Sequence, residues 1–148
     1  MKPAATSFME IEHLYPIAER LRGVFIEQAA ALALIRRYDN PRAVFYVDPP
    51  YVAATRKRRK ASAYRHEMTD DQHRQLAAAL HDCRGMVVLS GYDNPIYREL
   101  FGRWPRLDRQ ARTNGNAPGT VTESLWLNPA AHAAHAGGPL FTWQESQP

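Results

Sequence analysis

The sequence has very little cysteine: Cys83 is the only one in 148 residues. A single cysteine excludes an internal disulfide and is typical of a reducing compartment, and we expect Cys83 to be a small buried side chain near a helix end. No apolar run approaches the roughly 20 residues that span a membrane. The first 14 residues also lack the apolar stretch of a secretory signal. These absences predict a cytoplasmic protein with no membrane partner.

Histidine shows no spacing that would hold a metal ion. His66, His73 and His81 are not arranged with cysteines or carboxylates in a recognisable ligand pattern. We therefore predict no metal cofactor and expect the helical histidines to lie at the surface. Ser90-Gly91 lacks the Gly-x-Ser-x-Gly pattern of a hydrolase nucleophile.

Positive charge is concentrated in one stretch. The net charge is +4, and residues 56–60 contribute five positive charges in succession, which leaves −1 on the rest of the chain. These residues are Arg56, Lys57, Arg58, Arg59 and Lys60. Such a patch can neutralise nucleic-acid phosphates and release counterions. Taken alone, however, a charge run is more often a solvated loop without function.

Hydrophobic periodicity predicts alternating helices and strands. The predicted helices cover residues 10–22 (kinked at Pro16), 29–38, 69–83 and 94–102; the predicted strands cover 24–26, 43–47, 86–90, 107–111 and 124–127. A capping box formed by Thr69 and Gln72 should start the third helix, and Asn94-Pro95 should start the fourth. The strand at 43–47 is apolar on both faces, which is typical of a parallel sheet covered by helices. We expect one α/β domain over residues 9–130 and a flexible tail over 131–148. Residues 52–68 form the one long connection, and loops of that length are usually functional or mobile.

The tetrapeptide Asp48-Pro49-Pro50-Tyr51 directly follows the predicted strand at 43–47. Ligands of parallel α/β sheets bind beyond the carboxyl ends of the strands. The Asp48 carboxylate and the Pro49 carbonyl could accept the two hydrogens of an exocyclic amine and localise its lone pair for attack. The two prolines would hold the turn rigid, and Tyr51 offers a flat face on which an extruded base can stack.

The segment Val44–Tyr51 resembles the catalytic motif of the amino-methyltransferases, and its surroundings resemble the Dam-like, adenine-specific group. Three further stretches resemble that group in the expected order: residues 64–76, 87–92 and 122–129. Together these segments cover roughly residues 14–130. We therefore identify the chain as similar to the carboxyl-terminal, catalytic-motif half of a Dam-like methyltransferase.

The resemblance implies transfer of a methyl group from S-adenosylmethionine to N6 of an adenine flipped out of double-stranded DNA. Asp48, Pro49, Pro50 and Tyr51 would be catalytic, and Asp48 would also contact the cofactor. The basic run at residues 56–60 would then contact DNA. Tyr64 and His66 could line the base pocket, with a structural role as the alternative for each.

Two departures from the family pattern affect the cofactor. The chain has no Phe-x-Gly-x-Gly loop before the motif, since its first glycine is Gly23, and the segment that recognises the target sequence is absent or reduced. Ala30 stands where the family commonly has an acidic residue, and Glu27 is a poorly registered substitute that we retain as a cofactor-binding candidate. We therefore expect a partial Rossmann-like fold, with a mostly parallel sheet, a final antiparallel pair and no amino-terminal cofactor-binding strands.

Two functions remain open from the sequence. In the first, the chain is a DNA adenine methyltransferase subunit that is inactive alone and needs a second polypeptide carrying the cofactor-binding half. In the second, it is a non-catalytic remnant of prophage type that binds DNA weakly through its basic loop. The intact Asp48–Tyr51 motif favours the first, and the two departures favour the second. The recognition sequence, the oligomeric state and any restriction–modification role are not determined by the sequence.

Overall fold

A computed structural model describes residues 14–52, 67–112 and 120–136 of the chain. In these ranges the helices are α1 (Leu14–Leu21), α2 (Ala31–Tyr38), α3 (Asp70–His81), α4 (Pro95–Phe101) and α5 (Pro129–Ala136). The strands are β1 (Val44–Val47), β2 (Met86–Gly91), β3 (Arg106–Arg112) and β4 (Thr120–Leu127). None of the described helices is long and apolar enough to cross a membrane.

The four strands form one mixed sheet in the order β1-β2-β4-β3. β1 and β2 are parallel, whereas β4 runs antiparallel to both β2 and β3. The α/β class and the final antiparallel pair are therefore confirmed. The prediction of a mostly parallel sheet is wrong for the described residues, because β4 returns directly beside β2 and makes two of the three pairings antiparallel.

The strand β1 lies at an edge of the sheet and is covered on one face only. Phe45 and Val47 pack against the main core, while Val44 and Tyr46 on the opposite face are 61% and 63% exposed. The expectation that helices cover both faces of this strand is wrong for the described part of the chain. Its composition suits burial on both faces, but within the described residues one apolar face and one edge of the strand have nothing packed or paired against them.

The main core lies between the sheet and the helices α2, α3 and α4. Its largest fully buried side chains include Trp126, Tyr97, Phe101 and Leu80. The helix α3 begins with the expected capping box, in which the Thr69 hydroxyl accepts from the backbone N–H of Gln72 and the Gln72 side chain accepts from the backbone N–H of Thr69. These bonds fix where α3 begins and which face it turns toward the core.

His73 does not lie at the surface as we expected. It is 1% exposed on the inner face of α3, where its Nδ1 lies 3.2 Å from the hydroxyl of Tyr97. Burial lowers the pKa of His73, because the charged imidazolium loses its hydration. Its ring packs edge-on against Tyr97. The histidine therefore acts as a neutral core residue.

The helix α5 covers the other face of the sheet and extends into the predicted flexible tail. Asn128 caps the helix by accepting from the backbone N–H of Ala131, and its side chain also bonds to the backbone of Gly85 and Val87 at the start of β2. Ala131 is buried against Val88 and Leu127. Residues 131–136 of the tail predicted over 131–148 thus belong to a helix, and residues 137–148 lie outside the described residues.

The segment before α2 packs little against the rest of the described chain. The helix α1 has no buried residue, and Gly23, with a φ of +80°, ends it as predicted. Residues 24–26 do not form the predicted strand, and Phe25 and Ile26 are 93% and 98% exposed. The residues are β-prone, but no described strand lies beside them to pair with.

Candidate active site

The parallel pairing of β1 and β2 brings two polar side chains together at the carboxyl end of the sheet. Val47 is in register with Leu89, so the next residues, Asp48 and Ser90, are neighbours. The Ser90 hydroxyl donates to Oδ1 of Asp48 at 2.8 Å. Ser90 is buried whereas Asp48 is exposed. The hydrogen bond thus fixes one carboxylate oxygen of Asp48 against β2, while the residue itself remains exposed.

The aromatic residue of the motif packs against the end of the second strand. Tyr51 and Tyr92 form an edge-to-face pair with ring centroids 4.5 Å apart, a favourable geometry for two aromatic rings. Pro49 is buried, and Pro50 and Tyr51 are half-buried. The motif is therefore an irregular segment that packs against its neighbours.

Two clefts lie next to the Asp48–Tyr51 motif. The first has a volume of about 620 Å³ and lies between α2, β1 and α3, with Asp48, Pro49 and Pro50 in its wall. The second has a volume of about 690 Å³, and its lining includes Val52, Tyr92, Asn94 and Thr122. Three motif residues thus line the first cleft, whereas the second cleft begins at Val52, the residue that follows the motif.

A network of charges forms the rim of the second cleft. Arg106 contacts the carboxylates of Asp93 and Asp108, each at 2.9 Å, and Asp108 also accepts from the Ser124 hydroxyl at 2.7 Å. The hydrogen bond from Arg98, together with the nearby Arg106, holds the pKa of Asp93 below its usual value. The network ties the start of α4 to the β3–β4 hairpin and fixes the shape of this cleft.

A model of the D12 class N6 adenine-specific DNA methyltransferase family matches residues 3–114, about three quarters of the chain. The chain belongs to this family. The resemblance inferred from residues 44–51 is thereby confirmed, although the match ends before β4. No curated protein matches the chain.

Enzymes of the D12 class use S-adenosylmethionine as the methyl donor, so the first cleft has to be tested against that cofactor. Its described lining is mostly apolar, and Ala30 occupies the position where we expected an acidic group. The other candidate, Glu27, accepts from Arg37 Nη1 at 2.5 Å and from the Tyr38 hydroxyl at 3.1 Å. The described residues therefore do not complete a site for the whole cofactor in this D12-class chain.

Several predicted site residues of the methyltransferase lie outside the described residues. They are the basic run Arg56, Lys57, Arg58, Arg59 and Lys60, together with Tyr64 and His66. Their assignment to DNA contact stays a prediction. Within the ranges that the structure does describe, no group of three or more metal-binding side chains is present.

Sequence reasoning did not single out the side chains from other segments that lie at this candidate site. Ser90 and Tyr92 belong to residues 87–92 and Thr122 to residues 122–129, two stretches noted only for their resemblance to the family. Ser90 could have been found, because it and Asp48 are each the first polar residue after an apolar run, and parallel strands end at one edge of a sheet. Thr122 carried no such signal.

Proposed function

We propose that this chain supplies the base-binding and catalytic side of a DNA adenine N6-methyltransferase, and that a separate segment supplies most of the S-adenosylmethionine site. The observation that carries this proposal is the Asp48 carboxylate, anchored by Ser90 at the end of β1 and flanked by the Tyr51–Tyr92 pair. Family membership supports DNA as the substrate and adenine as the target base.

The Asp48 carboxylate activates the amine of the target adenine. Ser90 donates to Oδ1, so the carboxylate keeps acceptor positions for one hydrogen of N6, and the carbonyl of Pro49 accepts the other. Two acceptors favour a localised lone pair on the nitrogen, which is the geometry it needs in the transition state. Because these groups are fixed before the base arrives, little reorganisation is required.

The second cleft receives the extruded base. Tyr92, Val52 and Asn94 line it, and Tyr51 packs edge-on against Tyr92. A flipped base loses its stacking and pairing in the duplex, and contact with aromatic and apolar side chains offsets part of that cost. The basic residues 56–60, which follow the motif in the sequence, would hold the backbone of the same DNA.

A second polypeptide that carries the cofactor-binding half would cover the exposed face of β1. Val44 and Tyr46 lie exposed on that face, and Phe25 and Ile26 also expose large apolar side chains. Apolar patches of this kind often mark interaction sites, and the free edge of β1 can pair with another strand. The same partner would provide the glycine loop and the acidic group absent from the first cleft.

A non-catalytic remnant is the second candidate function. Ala30 in the wall of the first cleft and the engagement of Glu27 by Arg37 and Tyr38 favour it. A remnant would retain at most weak DNA binding and would not transfer a methyl group with any partner.

Calorimetric titration of the purified chain with S-adenosylmethionine tests the division of the site. We expect no detectable binding, because the described residues do not complete the site. Micromolar binding by the chain alone would show that no second polypeptide is needed and would overturn that part of the proposal.

Methyl transfer to adenine-containing duplex DNA tests the reaction itself, with the cofactor-binding half of a D12-class enzyme supplied as a second polypeptide. We expect transfer to N6, reduced about a hundredfold or more by Asp48→Ala, since a preorganised catalytic group is lost. Asp71→Asn is the matched control, because Asp71 is exposed at the start of α3. Absence of transfer under all conditions would favour the remnant.

A further inference from the structure

The β3–β4 hairpin extends beyond the strand on which it packs. β2 ends at Gly91, which pairs with Ser124, whereas the pairing of β3 with β4 continues for four more residue pairs, from Arg109–Glu123 to Arg112–Thr120. At about 3.4 Å per residue, this two-stranded ribbon projects roughly 14 Å past β2. It projects at the end of the sheet where Asp48 lies, because β2 runs parallel to β1.

The ribbon forms one wall of the second cleft. Val121 and Thr122 line that cleft opposite Tyr92 and Asn94. The root of the ribbon is held by the contacts of Asp108 with Ser124 and Arg106. A DNA duplex that delivers a base into the second cleft has to pass alongside the ribbon.

Thr122, which lines the second cleft, belongs to a polar pair on the ribbon. Gln110 and Thr122 are directly opposite each other, and Nε2 of Gln110 donates to Oγ1 of Thr122 at 2.7 Å. That bond orients the Gln110 amide. The amide oxygen, the second amide N–H and the hydroxyl proton of Thr122 take no part in it. The pair therefore presents one acceptor and two donors in a fixed arrangement beside the base cleft.

We propose that Gln110 and Thr122 on the projecting β3–β4 ribbon read the edge of a base pair next to the extruded adenine, and so contribute to sequence specificity. A two-stranded ribbon fits the major groove of DNA, where each base pair presents a distinct set of donors and acceptors. Glutamine can bond there to the amino group and ring nitrogen of an adenine. This inference rests on the proposed methyl transfer to DNA.

Selection of bound duplexes from a randomised library tests the inference, using the full chain at low salt. The wild type should enrich particular base pairs beside an adenine. Gln110→Ala and Thr122→Val should each relax the preference at one or two positions, by roughly five- to a hundredfold for a bidentate contact. Affinity for unselected DNA and its salt dependence should not change, because neither substitution removes a charge.

Gln28→Ala is the matched control, since Gln28 is an exposed glutamine outside the ribbon, and it should leave the preference unchanged. A uniform loss of affinity on all sequences would overturn the proposal, because the ribbon would then contact only the backbone. It would also be overturned by an unchanged preference in both ribbon variants, or by a wild type without any preference.

The same duplexes separate this inference from the proposed function. In the complemented methyl-transfer assay, Gln110→Ala should still methylate adenine but on a broader set of sequences. Suppose that the selected base pairs depend on Gln110 but neither the wild type nor the variant transfers a methyl group. In that case the ribbon reads DNA, and the proposed enzymatic function fails.

Discussion

Replacing Asn128 by alanine should destabilise the whole fold, although Asn128 lies outside the residues that match the family. Its side chain is 4% exposed and makes three hydrogen bonds of 2.9–3.0 Å. Oδ1 accepts from the N–H groups of Val87 and Ala131, and Nδ2 donates to the carbonyl of Gly85. Asn128 thus joins β2 to the start of α5.

The magnitude follows from what the substitution leaves behind. Alanine removes the side-chain partner of three backbone groups at a buried junction, and each such loss costs about 1 kcal/mol or more. We therefore expect a loss of about 3 kcal/mol in the free energy of unfolding. That is a large share of the 5–15 kcal/mol that is typical of a small domain.

Urea unfolding followed by tryptophan fluorescence measures this loss, and Trp126 lies close by on β4. Asn40→Ala is the control, because Asn40 is exposed and its side chain makes only local bonds to Tyr38 and Arg42. We expect the control to lose less than about 1 kcal/mol. If Asn128→Ala lowers the free energy of unfolding no more than Asn40→Ala does, the Asn128 hydrogen bonds between β2 and α5 do not stabilise the fold.

Three further results are expected. Burial lowers the pKa of His73 from 6.5, so the unfolded chain binds a proton more readily than the folded one. The free energy of unfolding should therefore be constant above about pH 6.5 and fall below that pH by up to about 1.4 kcal/mol per pH unit. Urea unfolding between pH 5 and 7 should show this slope, and His73→Leu should reduce it. Gly85→Ala should destabilise by about 1–3 kcal/mol, because an added Cβ would lie 2.8 Å from the Ala43 carbonyl oxygen, and an unchanged urea midpoint would contradict this. The exposed apolar face of β1 should cause self-association, measured by light scattering and reduced by Tyr46→Glu; a wild type that stays monomeric at all concentrations would count against an uncovered face.

The local signals in the sequence were reliable. The capping box at Thr69, the Asn94-Pro95 start of α4 and the apolar run of β2 all occur where the residues indicated them, because each depends on neighbours within a few positions. The Asp48–Tyr51 motif and the family followed from the sequence for the same reason. A contiguous motif keeps its chemistry wherever the strand before it is placed.

Pairing and burial depended on residues distant in the sequence, and there the sequence was insufficient. Residues 24–26 have the composition of a strand but no described partner, and β1 has the composition of a doubly covered strand but one uncovered face. Likewise, the polarity of His73 predicted exposure, whereas the packing of α3 against Tyr97 buried it. Propensity describes what a segment can do, and tertiary contacts select among those states.

The sequence by itself therefore determined the family, the Asp48–Tyr51 tetrapeptide and most of the elements that carry it. The tertiary structure alone decided that β4 lies beside β2, that Ser90 bonds to Asp48, and that the β3–β4 ribbon projects beside the second cleft. The first two features join residues 33 to 42 positions apart, and the third depends on the relative lengths of separate strands. No local pattern encodes them, because the free energy that fixes them comes from contacts formed only when the sheet assembles.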